Sequence, residues 1–394
     1  MRIPYRDPLP PPTIIPKSAT ALPSAVAALL RFLTTPAPNG LPDSTVVLSG
    51  AGLSVASGLA DYRGAHGTYR VNKAYRPIYH GEFMESHASR QRYWARSFLG
   101  WSSLHKAAPN AGHYAVRDLG RMGLVGSVIT QNVDSFHSMA HPDLRTIELH
   151  GYLRATVCTT CREEFPRDTF QNELARLNPA WDAFLHEALA SGTLNLDAPG
   201  RKTNAKGLRM NPDGDVDLED APYTSFRYPP CPNCLAESPR LLRNQGLSID
   251  VDEDGAWMAG STAGVLKPAV IMFGESIPQR VKMAAESAID KAGKLLVLGT
   301  SLATGSAWML AKRAKERGMS MAVVNLGGIR GEKEFFSNVD VEQPGAHGVR
   351  VEFPTDTILP DVVDQVRQQF AGRGSRSTGT SEFRNAAVFK NMLS

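Results

Sequence analysis

Apolar and polar positions alternate along the chain in two rhythms. TVVLSG (45–50) is an apolar run ending in glycine, the pattern of a strand buried on both faces of a parallel sheet. The same reading predicts strands at SVIT (127–130), TIELH (146–150), PAVIMFG (268–274), KLLVLGTS (294–301) and MAVVNLG (321–327). Helical patterns lie between them. Ser24 is placed to cap a helix through SAVAALLRFL, a second helix is predicted from Asn110 to Met122, and a third from Ser306 to Arg317, stopped by Gly318. Strand, helix, strand at this spacing predicts an α/β fold with a doubly wound, parallel, Rossmann-like sheet.

Residues 158–265 break the rhythm. Asp168 to Leu189 reads as helical and 192–230 is rich in Gly, Pro, Asn and Asp, so this stretch is expected to be a smaller module inserted into the sheet domain, which takes 24–157 and 266–370. Prolines at 4, 8, 10, 11, 12, 16 and 23 predict a flexible arm over 1–23, and GRGSRSTGTSE (372–382) predicts a flexible tail over 371–394. Arg2, Arg6 and Lys17 supply the charge of a mitochondrial presequence, but the prolines deny it a helix.

Composition acts mainly by exclusion. A chain of 394 residues that is 42% hydrophobic can bury a sizeable core without a disulfide scaffold. With 43 Lys+Arg against 39 Asp+Glu, the net charge of +4 is too balanced for a domain built to hold nucleic acid. No apolar run approaches the roughly 18 residues needed to span a bilayer. The expectation is a globular monomer with no specific nucleic-acid partner and no membrane partner.

The chain has 4 cysteines, all in two C-x-x-C pairs: Cys158 with Cys161, and Cys231 with Cys234. Each pair sets two thiolates at the separation a tetrahedral zinc requires, and four thiolates leave no open coordination position, so one structural zinc is expected. A pair of redox motifs is the alternative. The predicted helical insertion from Asp168 lies between the two pairs.

The run Gly50-Ala51-Gly52 follows the first strand, where glycines let a backbone approach a pyrophosphate and the next helix offers free N–H groups. The ordinary dinucleotide fingerprint fails here, because Val55 stands where its third glycine belongs and no second strand ends in a suitable acid. A plain dehydrogenase is therefore disfavoured. Beyond the turn, Asp61, Tyr62 and Arg63 put an acid, a ring and a phosphate-clamping guanidinium together. SVIT runs into Gln131, Asn132 and Asp134, at the strand end where open sheets bind ligands. His150, beside Gly151 at the end of another strand, stands out among ten histidines.

These segments resemble a known family. GAGLSVASGLADYRG (50–64), TQNVD (130–134), ELHG (148–151), the two cysteine pairs, GVLKPAVIMFGE (264–275), GTSL (299–302) and VVNLG (323–327) occur in the order of a sirtuin, over roughly residues 25–370. HGEFMESHASRQRYWARSFLGW (80–101), followed by PNAGHYAV, looks like the class II branch that includes the mitochondrial lipoamidase-type sirtuin. The resemblance implies an NAD-dependent protein lysine deacylase that releases nicotinamide and passes the acyl group of an acyl-lysine protein to ADP-ribose, with lipoyl or other longer chains favoured. Carried over to this chain, His150 is the general base, taking a proton relayed from the ribose hydroxyls, and Asn132 and Gln131 join it as catalytic residues. Gly50, Ala51, Gly52, Asp61, Tyr62, Arg63, Gln131, Asn132, Asp134, Gly299, Thr300, Ser301 and Asn325 would hold NAD. Val270, Met272, Phe273, Gly274 and Glu275 would receive the substrate peptide as an added strand. The same branch implies a mitochondrial location, with cytoplasm or nucleus as the alternative.

Three departures from the family pattern stand out. Ala60 sits where proline is common, Tyr62 replaces a commoner phenylalanine, and the stretch from Cys234 to Lys267 is longer than usual, its acidic run Asp250 to Asp254 reading as a solvated loop, with a gate beside the peptide cleft as the alternative. The Tyr/Arg pair that selects acidic acyl groups in another branch has no match, so succinyl preference is not expected. A mono-ADP-ribosyltransferase using the same NAD residues is the alternative function.

Overall fold

The computed structural model describes residues 9–72, 75–192, 194, 209–237, 246–342 and 345–374. In chain order the strands are β1 (Thr45–Ser49), β2 (Val125–Thr130), β3 (Thr146–Glu148), β4 (Gly151–Cys158), β5 (Glu164–Pro166), β6 (Arg209–Met210), β7 (Val216–Asp217), β8 (Leu266–Val270), β9 (Lys294–Leu298), β10 (Ser320–Val324) and β11 (Gly348–Val351). Six of them form a parallel sheet in the order β11-β10-β9-β1-β2-β3. The order reverses between β1 and β9, which makes the crevice outside their carboxyl ends the expected ligand site.

Every residue of β1, β9 and β10 is buried. Val47, Leu296 and Ala322 face the helices Leu22–Thr34, Ala111–Arg121 and Thr355–Gly374. Val46, Leu48, Leu295 and Val297 face Gln279–Asp290 and Gly305–Glu316. This two-sided cover is why the strands read as unbroken apolar runs, each fully buried Val or Leu contributing roughly 1.5–3 kcal/mol. The helix expected from Asn110 runs over Ala111–Arg121 and is capped by Asn110, whose side chain accepts from Gly112 N–H at 2.9 Å.

A second lobe is built on the antiparallel sheet β5-β4-β8. Its core joins Phe83, Trp94, Phe98 and Leu99 to Phe170, Leu174, Trp181, Tyr228, Trp257 and three of the cysteines. The lobe therefore draws on helices His80–Glu85 and His87–Lys106 as well as on the stretch expected to be helical from Asp168 to Leu189, which Pro179 divides into Arg167–Leu177 and Pro179–Ala190. The boundary expected at 157/158 moves to Gly151, where a φ of 73° turns the chain out of the parallel sheet and a Cβ would lie 2.1 Å from the Ala269 carbonyl oxygen.

Other expectations shift for local reasons. The prolines of the arm forbid a helix, yet an extended segment can still pair with edge strand β11: Ile15 is buried and exchanges backbone hydrogen bonds of 2.9 and 2.8 Å with Arg350. The arm is thus held from Ile15 onward, while residues 1–8 lie outside the described residues. Ser24 does not cap the first helix, which begins at Leu22 after Ala21; its hydroxyl donates back to Ser18 and Ala21. The last helix runs to Gly374, into the expected tail, and 375–394 lie outside the described residues. The acidic run is mostly exposed, as a solvated loop should be, but it is anchored. Asp252 and Asp254 pair with Arg227 at 2.6 and 2.8 Å, and the rings of Trp257, Tyr228 and His87 pack against one another. No helix among the described residues is long and apolar enough to cross a membrane.

Candidate active site

Two turns interlock at the sheet's reversal point. β1 leads into a 3-10 helix, Ala51–Ser57, in place of the expected α-helix, closed by Gly58 at φ 87°. Gly50 N–H donates to Leu298 and Gly52 N–H to Gly299, at 3.0 and 2.8 Å. A Cβ on Gly52 would stand 2.8 Å from the Gly299 carbonyl oxygen, and one on Gly50 2.6 Å from Thr300 Cβ. These glycines serve, before any ligand arrives, to bring the turns after β1 and β9 into backbone contact. In the second turn Leu302 is buried in the left-handed region at φ 55°, a conformation that costs about 1–3 kcal/mol and tends to mark functional sites.

Around this contact His150 and Gln131 form one group. His150 Nδ1 lies 3.1 Å from the Gln131 carbonyl, which can only accept, so Nδ1 carries the proton and Nε2 is the free base. Ser306 Oγ, 2.7 Å away, then donates to Nε2. Burial lowers the His150 pKa to about 4, against its hydrogen bond to Gln131, which leaves the ring neutral at pH 7. The ring is thus a weaker base than the unperturbed value near 6.5 suggests. Gln131 is fixed from both ends: its amide donates to Thr300 Oγ1 at 2.9 Å and to Ser49 O, and its oxygen accepts from Thr304 Oγ1 at 2.8 Å.

Asn132 and Asp134 form a second group through Ser54. Asn132 Nδ2 donates to Ser54 Oγ and Gly50 O at 3.0 and 3.2 Å, while Ser54 Oγ donates to Asp134 at 2.7 Å. Burial raises the Asp134 pKa; hydrogen bonds from Phe136 N–H and Ser54 oppose the shift. Ser54, Thr304 and Ser306 were not foreseen from sequence. Ser306 sits in the first turn of a predicted helix, where a serine reads as ordinary.

The remaining candidates are not drawn into these groups. Asp61 folds back on its own turn, accepting from Gly64 N–H at 3.1 Å, and burial raises its pKa. Arg63 stacks over Tyr69, and Tyr62 donates to Asp213 at 2.6 Å. Ala51 opens the 3-10 helix, and Ser301 accepts through its carbonyl from Arg330 N–H. Asn325 holds its own turn, donating to Leu326 and Gly327, and its carbonyl accepts from buried Arg350.

The segment expected to receive a peptide is already partly bonded. Ile271 N–H donates to His150 O at 2.7 Å, Met272 N–H to Glu275, and Glu275 N–H to Met272 O, while Phe273 O accepts from His80 N–H. Val270 closes β8, Met272 and Phe273 are buried, Gly274 has φ 86°, and Glu275 lies 3.3 Å from buried Lys267. The edge left for pairing is therefore shorter than five residues.

At the far end of β4, the Sγ atoms of Cys158, Cys161, Cys231 and Cys234 lie within 4.8 Å of one another. Four thiols converging at the start of a short helix and the end of a strand match the donor set of a closed structural zinc.

A doubly wound sheet carrying this crevice, with a four-cysteine lobe beside it, is the build of a nucleotide-binding enzyme with a structural metal. Residues 50–306 match the Sir2 family. The chain is 37% identical, over 73% of its length and 83% of the relative's, to "NAD-dependent protein deacylase SIR4" of Batrachochytrium dendrobatidis. It is 32% identical, over 81% of its length and 83% of the relative's, to human "NAD-dependent protein lipoamidase sirtuin-4, mitochondrial". Its fold resembles that of a Sir2 with deacetylated p53 peptide and 3'-O-acetyl ADP-ribose (TM-score 0.53, 20% identity, 86% of this chain and 96% of that one). The chain belongs to the Sir2 family, the sirtuins.

Proposed function

We propose that the chain is an NAD-dependent protein lysine deacylase that transfers the acyl group of acyl-lysine proteins to ADP-ribose with release of nicotinamide. The observation that carries this reading is His150, held neutral with Nε2 as its basic atom at the sheet's reversal point. Bound NAD supplies a ribose carbon that turns electrophilic as nicotinamide leaves. Gly50, Ala51, Gly52, Gly299, Thr300 and Ser301 offer backbone and hydroxyl groups along the strand ends to hold it, with Asp61, Tyr62 and Arg63 closing over it and Asn325 at the adenosine end. Gln131, Asn132 and Asp134 are pre-oriented by their hydrogen bonds, so little ordering is left to do on binding. His150 Nε2, which faces Ser306 Oγ here, would be the atom that accepts a proton from the ribose hydroxyls.

Val270, Met272, Phe273, Gly274 and Glu275 flank the acyl-lysine. Cys158, Cys161, Cys231 and Cys234 would hold zinc, which stiffens the lobe and takes no part in the chemistry. The favoured acyl group is lipoyl or another long chain and the location mitochondrial, both supported by the identity to the human lipoamidase. Acetyl-, lipoyl- and succinyl-lysine peptides incubated with NAD and analysed by mass spectrometry test the reading. Nicotinamide and acyl-ADP-ribose are expected, with lipoyl fastest and succinyl slowest. ADP-ribosylated protein without acyl-ADP-ribose contradicts it.

A further inference from the structure

We propose that Asp213 is a positioning residue for the NAD loop: its carboxylate, delivered by the zinc-lobe insertion, latches Tyr62 and so sets the affinity for NAD. The inference rests on the reading that Asp61–Gly64 closes over NAD, and deepens it. Tyr62 and Asp213 are far apart in sequence, yet the Tyr62 hydroxyl donates to Asp213 at 2.6 Å.

The carboxylate is not on a loose loop. Asn211 to Asp215 is a tight hairpin turn between β6 and β7, closed by Asn211 N–H to Asp215 O and Gly214 N–H to Asn211 O, each at 2.9 Å. It presses on helix His87–Lys106 at Gly100, where a Cβ would stand 1.8 Å from the Gly214 carbonyl oxygen. Arg96, buried on the same helix, pairs with Asp215 at 2.6 Å. The latch thus has a rigid mount on the zinc lobe.

The loop end is equally ordered. Thr68 N–H donates to Asp61 O and Tyr69 N–H to Tyr62 O, and the rings of Tyr62, Tyr69 and Tyr75 follow one another at 5.5 and 5.9 Å, with Arg63 over Tyr69. Holding the Tyr62 hydroxyl therefore orders the row of rings on which Arg63 rests. It also compensates for Ala60, since the loop lacks the stiffness a proline would give.

The groups facing Asp213 are Tyr62 and Tyr75 from the loop side, Tyr93 and Arg96 from helix His87–Lys106, and Asp215 on its own turn. Burial raises the Asp213 pKa to about 6, the Tyr62 hydrogen bond opposes that, and Asp215 adds to it. A charged acceptor binds a hydroxyl more strongly than a neutral one, so the latch weakens as pH falls through about 6.

The test is steady-state kinetics with an acyl-lysine peptide, NAD varied, on full-length protein with its zinc content checked. Asp213→Ala and Tyr62→Phe are each expected to raise the KM for NAD about five- to tenfold, kcat in Asp213→Ala staying within about twofold. The double variant is expected to be no worse than the worse single one. Asp213→Asn keeps a neutral acceptor: its KM for NAD at pH 7.5 should already stand near the raised value wild type reaches below pH 6, and should stay flat with pH. An unchanged KM in both Asp213→Ala and Tyr62→Phe, or fully multiplicative effects, overturns the latch. Should Asp213→Ala fail to fold, Tyr62→Phe and the Asp213→Asn pH profile decide alone. Arg63→Ala separates the two readings: if it too leaves the KM for NAD unchanged, the loop's assignment to NAD has failed; if it raises KM while the latch variants do not, only the latch has.

Discussion

At the scale of single residues, burial favours the neutral form of four histidines, His113, His137, His141 and His150. His137 Nε2 lies 2.8 Å from Ser49 Oγ and its Nδ1 2.8 Å from His141 Nε2, and the His113 ring packs edge-on against His137. Burial lowers the pKa of His113 to about 3 and of His150 to about 4, and also lowers those of His137 and His141. These groups bind protons near pH 6.5 in the unfolded chain but not in the folded one. Their contribution is therefore complete above pH 6.5 and is lost as pH falls toward 4 and 3. Buried Asp61, Asp134 and Asp213 have raised values and act in the opposite sense, so a variant isolates the histidine share. Urea unfolding at pH 7.5, 6.5, 5.5 and 4.5 is expected to show stability falling with acid more steeply in wild type than in His113→Gln, since each tenfold loss of proton affinity on folding is worth about 1.4 kcal/mol. Parallel slopes would show that His113 titrates normally. None of this was legible in the sequence. His150 stood out by its place beside a glycine at a strand end, but its protonation depends on burial by distant segments and its tautomer on the Gln131 carbonyl.

At the scale of elements, what could be read was what local chemistry dictates. The strands β1, β9 and β10 announced themselves because two-sided burial forces continuous apolar runs, whereas the cap expected at Ser24 failed because the helix starts earlier, at Leu22. Lobe membership was not legible: the helices at 80–106 join the zinc lobe through contacts of Phe83, Trp94 and Phe98 with residues far along the chain. The glycines after β1 were recognised, but their packing against Gly299 and Thr300 could not be, since the second turn lies in another part of the sequence. The cysteine pairs are the local signal that also orders a whole element, because Cys158, Cys231 and Cys234 are buried in the lobe's core. Cys231→Ser is expected to lose zinc and lower the thermal midpoint by at least about 5 °C, with chelation of wild type doing the same. A metal-free variant with an unchanged midpoint would remove zinc from the account.

At the scale of the molecule, the sheet and the lobe meet along one line. β3 ends at Glu148, His150 follows, and Gly151 starts β4, so the proposed base sits where the two sheets join, while Ile271, just past β8, bonds to its carbonyl. The turns after β1 and β9 converge there because Gly50 and Gly52 let their backbones touch, and the described insertions are seated against Arg96, Gly100 and Arg227. The central proposal is that His150 serves the chemistry and not NAD binding. The most direct measurement compares His150→Ala with wild type for NAD affinity by calorimetry and for acyl-ADP-ribose formation by mass spectrometry. The account predicts a Kd for NAD within about threefold of wild type and a turnover reduced about 10²- to 10⁴-fold. Turnover within about twofold of wild type would contradict it.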